Sequence, residues 1–165
     1  MRVYVPLTLT ALPVVLAAGE IGPAPVTAYA VTPALRESYA EGNTEELEYV
    51  AMTHAAHASI RLLAADPTAP SQRLVLAVDV EEGAVTTLAA DESDRAALHV
   101  THSVPLDRVA AALLDAAEAE PTVHAAVEAL PAAEAGDEDA RFVLDEADSH
   151  ELLWYDASEL HLLAE

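Results

Sequence analysis

The chain has no cysteine and no lysine, only five glycines, and only one tryptophan and one phenylalanine among its 165 residues. Without Cys there is no disulfide, no thiolate nucleophile and no thiolate-bound zinc or iron–sulfur cluster. The few glycines do not fall into GxGxxG or GxxxxGK[ST], so a phosphate-cradling loop of either kind is excluded, and no GxSxG elbow is present. No basic stripe with interleaved aromatics exists to track a nucleic acid. No apolar run approaches the ~20 residues of a membrane-spanning helix.

What the chain does have is acid. Its 29 Asp and Glu face seven Arg, a formal net charge of −22, far beyond the roughly ±2–8 that keeps a small domain soluble. Such a surface repels nucleic acids and anionic lipid over a Debye length of about 8 Å and attracts basic protein surfaces. Yet 53% of the residues are apolar, so this is not a disordered acidic tail. The length implies one domain, 1–165, filled by small aliphatic side chains. Arg used to the exclusion of Lys fits a GC-rich genome; a halophile's need for hydrated carboxylates is the other account of the acidity.

Alternation of Val3, Val5 and Leu7 predicts a strand over 2–7, followed by a helix capped by Thr8 or Thr10 and closed by Gly19. That reading is preferred over a signal peptide ending near 28–30, because Pro6 and Pro13 interrupt the apolar run. A second strand is expected at 27–32 and a short helix from Pro33. Asn43 and Glu46 form a capping box for a long helix whose apolar stripe is Tyr49, Met52, Ala56, Ile60 and Leu63, ending at Asp66-Pro67. RLVLAVDV at 73–80 is apolar on both faces and belongs in the middle of a sheet, with Asp79 ending it near solvent. A loop is expected over 81–95 with a short strand at 84–88, a strand at 97–104, and helices at 107–119 and 121–130. The segment 132–139 reads as a mobile acidic loop, 141–145 and 151–155 as a hairpin pair, and Asp156 with Glu159 as a capping box for a closing helix. Val5-Pro6-Leu7 and Val104-Pro105-Leu106 echo each other as two β–α units would, but Pro used by chance to end two strands is the preferred account. The class is α+β (or α/β), with a mixed sheet of five or six strands covered by helices.

The long helix carries His54 and His57 three apart, with Arg61 four residues on. A guanidinium beside two imidazoles disfavours a divalent cation and favours an anion, so with Arg36 and Tyr39 these residues are the candidate ligand-binding set. His99 and His102 fall on opposite faces of a strand, which precludes chelation, and His102 is expected buried and neutral. No catalytic residue, metal site or cofactor is assigned, since paired carboxylates are inevitable in so acidic a chain. MRVYVP at 1–6, VTPALRE at 31–37, ELEYVA at 46–51 and ELLWY at 151–155, with 74–80 between them, together resemble an uncharacterised family of small actinobacterial proteins. The resemblance covers the whole chain and implies an origin and a length, without an activity or site residues.

The reading is a non-enzymatic cytoplasmic protein that acts through contacts with a basic protein, with no nucleic-acid or membrane partner. Two other classes stay open. One is a small-anion-binding or enzymatic domain built on Arg36, Tyr39, His54, His57 and Arg61; the other is a DNA mimic, whose carboxylates would be ordered along one face.

Overall fold

Strands that are apolar on both sides need cover on both sides, and this dictates the centre of the molecule. In the computed structural model, which describes residues 1–39, 41–88 and 94–165, β1 (Arg2–Leu7) and β4 (Leu74–Asp79) lie side by side mid-sheet, with Arg2 opposite Asp79 and Leu7 opposite Leu74. Outward from β1 run β3 (Val26–Tyr29), β6 (Ala97–Val100) and β5 (Val85–Thr87). Outward from β4 run β8 (Val109–Leu114) and β9 (Leu153–Asp156). Two further segments, β2 (Glu20–Ile21) and β7 (Val104–Pro105), pair as a separate ribbon. The class is α+β, as read from the sequence. The sheet, however, has seven strands rather than five or six, and every pair is antiparallel rather than mixed.

One face of the sheet presents Val3, Val5, Leu74, Leu76, Val78, Leu98 and Val100 to α1 (Leu12–Ala18) and α6 (Leu160–Leu163). Gly19 closes α1 at φ 73°, donating its N–H to Val15 and Leu16; this left-handed position favours a residue without Cβ. Neither Thr8 nor Thr10 is the N-cap of α1, however: Ala11 holds that position without a side-chain cap, and Thr8 Oγ1 accepts the Ala11 N–H one turn earlier at 3.2 Å. α6 follows the Asp156/Glu159 capping box that the spacing predicts.

The opposite face presents Tyr4, Tyr29, Val75, Ala77 and Ala111 to α3 (Thr44–Ala65). Asn43 Oδ1 accepts the Glu46 N–H at 2.9 Å, one half of the expected box. The helix meets the sheet through Ala51, Ala55 and Ala58, whose small side chains let it lie close. The stripe read from the sequence is right from its middle onward: Ala56, Ile60 and Leu63 are buried, but Tyr49 is 55% exposed. Ser59, fully buried, donates from Oγ to Leu7 O at 2.8 Å and accepts the Leu74 N–H at 3.2 Å, tying α3 to the two central strands.

Several other expectations are corrected. The segment 107–119 is not a helix: VAAALL fills the slot between β4 and β9 as β8, since a short apolar run reads equally well in either period and the sheet decides. This also removes the two-unit echo, because Val104-Pro105 is a two-residue strand followed by a 3-10 turn. The segment 141–145 is helical, within α5 (Glu138–Asp145), not a strand. The expected loop at 132–139 is largely helical too: α4 (Glu120–Glu134) runs into it, and Asp137 caps α5 through the Ala140 N–H. Ala126, Leu130 and Ala133 of α4 close over Ile60 together with Leu144 and Ala147. Residues 89–93 of the expected 81–95 loop lie outside the described residues. Asp79 ends β4 near solvent as expected, paired with Arg2 at 2.8 Å. No helix among the described residues is long and apolar enough to cross a membrane.

Candidate functional site

Among the described residues no side-chain hydrogen bond or ion pair joins the five sequence-selected residues to one another. Arg36 lies in the last turn of α2 (Pro33–Ser38), and Tyr39 caps its C-terminus, both exposed. Among the described residues no hydrogen bond or ion pair joins either to α3. His54 and Arg61 do share an edge of α3. His54 Nδ1 lies 3.0 Å from Asp94 Oδ1, and Arg61 Nη2 donates to the Tyr29 hydroxyl at 3.2 Å. Burial, then the Asp94 carboxylate, raise the Tyr29 phenol above its ordinary range. His102, expected in the core, is exposed, because β6 ends at Val100 and the ring turns back to Ser103 O at 2.8 Å. Among the described residues no three His, Asp or Glu side chains converge as a metal site.

A different group of residues gathers around a cleft. β4 and β8 pair with Leu74 opposite Leu114, so the residues just beyond, Arg73 and Asp115, also face each other. Period-two alternation sends Arg73 to the α3 side of the sheet with Val75 and Ala77. There its Nε and Nη2 donate to the two Asp115 oxygens at 2.8 Å each, while its backbone N–H reaches Asp115 Oδ2 at 2.8 Å. Both residues are almost wholly buried, at 2% and 1% exposed, and a forked pair of this kind satisfies both charges. Arg73 Nη2 also donates to His150 O at 2.9 Å, fixing the segment that leads into β9.

Above this pair opens a cleft of about 500 Å³, within the usual range for ligand sites. Its walls are Tyr49, Met52, Thr53 and Ala56 of α3 on one side, and Asp148, Glu151 and Leu152 on the other, with Leu113 and Arg73 beneath. Tyr49 and Met52 stand here because they are too large for the close helix–sheet seat taken by the alanines. Asp148 lies 3.9 Å from Arg73 Nη1, the edge of the guanidinium that Asp115 leaves free. Burial raises the Asp148 carboxyl above its ordinary value, with Arg73 and His57 opposing. The sequence reading passed over Arg73, Asp115 and Asp148. The available signal was an Arg opening a strand otherwise buried on both faces, since a guanidinium so placed needs a carboxylate partner.

His57 is the one sequence candidate coupled to this cleft. Burial, then Arg61, lower its imidazole below 6.5; Arg141 acts the same way, while Asp148 and Asp145 oppose. A lowered folded value means the unfolded chain binds the proton first. Stability from this group is therefore complete above about pH 6.5 and is lost as the pH falls through the folded value. Asp148, whose folded value is raised, works in the opposite sense, losing stability as pH rises from the ordinary carboxylate value. Urea midpoints at pH 7.5 and 5.5 should therefore differ less in His57→Gln than in the wild type. An equal difference in both would place the imidazole in open solvent.

The sequence pattern of a family of unknown function (DUF6912) matches residues 1–164, and the chain belongs to that family. No curated protein and no solved structure matches it.

Proposed function

Starting from a family membership that assigns no activity, we infer that the chain is a non-enzymatic cytoplasmic protein of actinobacterial origin that acts by binding a basic protein partner. The observation that carries this is the distribution of charge. Asp79, Asp94, Asp115, Asp145, Asp148 and Glu128 are the described carboxylates that lie within 4 Å of an Arg or His nitrogen. These six are a small share of the 29 Asp and Glu, and the net charge of −22, which already counts every Arg, has no counter-charge within the fold. A field of that size speeds encounter with a basic surface and repels acidic competitors. Arg in place of Lys throughout supports the actinobacterial origin.

The test is affinity capture from lysate of the source cells, followed by binding of the purified partner over a range of salt. The reading requires a defined basic partner whose affinity falls steeply with ionic strength. Recovery of no partner, or salt-insensitive binding through an apolar patch, contradicts it. A partner that DNA displaces competitively would convert the reading into that of a DNA mimic.

A further inference from the structure

We propose that the cleft between α3 and the 148–152 segment that leads into β9 is the seat of an arginine side chain from the basic partner; this rests on the preceding inference and adds where the partner anchors and by which residue. Three features of the cleft converge on that occupant. First, its surplus charge is negative. Arg73 is the cation in its floor, but Asp115 matches that charge through two bonds of 2.8 Å, leaving Asp148 and Glu151 at the mouth. An anionic ligand would meet both carboxylates before reaching the single free Arg73 edge. Second, the walls are apolar where a stem would lie: Met52, Ala56, Leu113 and Leu152 suit the three methylenes that precede a guanidinium. Third, Tyr49 leaves 55% of its surface exposed at the cleft. A planar, weakly hydrated guanidinium stacks on such a ring more readily than an ammonium does.

Asp148 behaves as a carboxylate awaiting a second cation. It is half-exposed, its distance of 3.9 Å from Arg73 Nη1 is too long for a hydrogen bond, and burial raises its carboxyl. An incoming guanidinium supplies the missing donors. Trp154, the only tryptophan of the chain, pairs with Leu113 across β8 and β9. It therefore stands on the same sheet face as that cleft residue, 64% exposed, and its fluorescence provides a local readout.

The experiment uses the full chain at low salt and two blocked tripeptides, Gly-Arg-Gly and its neutral isostere Gly-citrulline-Gly, titrated by Trp154 fluorescence and amide chemical shifts. The arginine peptide should bind roughly tenfold more tightly than the citrulline peptide, with shifts confined to α3 and 148–154. Asp148→Asn and, independently, Glu151→Gln should each weaken it several-fold, whereas Glu81→Gln with Glu82→Gln, at the far end of β4, should leave it within about twofold. Equal binding of the two peptides overturns the proposal, as does an equal loss in the remote double variant, which would make the attraction a property of the whole surface. The captured partner separates the two claims. If its salt-dependent affinity is untouched by Asp148→Asn, the cleft assignment fails while the basic-partner reading stands; if no such partner exists, the reading itself fails.

Discussion

Replacing Arg73 by Met should lower the free energy of unfolding by about 3–5 kcal/mol, because it strands a buried carboxylate. Asp115 is 1% exposed, and its oxygens accept from the Arg73 side chain and the Arg73 N–H. Without the guanidinium, one backbone N–H is all that remains to hold a full negative charge away from water. The reciprocal change, Asp115→Leu alone, should be similarly costly, since it strands the cation. The double variant Arg73→Met with Asp115→Leu should recover most of the loss, because a buried pair exchanged for apolar side chains of similar size is often close to neutral. Urea unfolding of the four proteins closes the cycle. Additive losses in the double variant would mean that the two groups do not depend on each other for solvation. The cycle also bears on the cleft: Arg73 additionally holds His150 O at 2.9 Å, so its loss should loosen the segment carrying Asp148 and Glu151.

A second large effect belongs to the core. Leu76→Ala should cost about 2–5 kcal/mol, toward the upper part of that range. Leu76 has no exposed surface and lies between Val5 of β1 and Ala112 of β8 in register. Both neighbours are short and fixed on paired strands, so neither can reach into the space left behind, and the cavity cost adds to the lost transfer energy. The exposed Leu162→Ala, 55% accessible, should change stability by less than about 0.5 kcal/mol. A small loss at Leu76 would indicate a core that collapses around voids, contrary to the close aliphatic packing described.

How much of this was legible beforehand follows from which forces act locally. The Gly19 cap, the Asn43 cap, the Asp66-Pro67 stop and the Asp156/Glu159 box depend on residues within a few positions, and all were readable. β4 was readable because only a central strand is apolar on both faces. The segment 109–114 was not, because six small aliphatic residues carry no period, and their state is fixed by the vacancy between β4 and β9. Helix α5 was readable in principle: Ala140, Val143, Leu144 and Ala147 recur at spacings of three, four and seven after a capping Asp137, but the acidic run ahead of them drew the reading toward a loop. The site failed for a different reason. His54, His57 and Arg61 share a helix and so stood out together, whereas Arg73, Asp115 and Asp148 meet only after two strands pair and a helix pair folds over them. A buried cation advertises its need for a partner, but not which of 29 carboxylates supplies it.

The proposed basic partner requires above all an anionic surface whose carboxylates repel one another in the isolated protein. The most direct measurement is the thermal midpoint of the isolated protein in sodium chloride from about 10 mM to about 300 mM, over which the Debye length shrinks from about 30 Å to below about 8 Å. Screening relieves mutual repulsion in the folded state, so the midpoint should climb steadily across this range. A midpoint that stays level or falls with added salt would mean that local ion pairs already balance the carboxylates, and the case for a basic partner would lose its foundation.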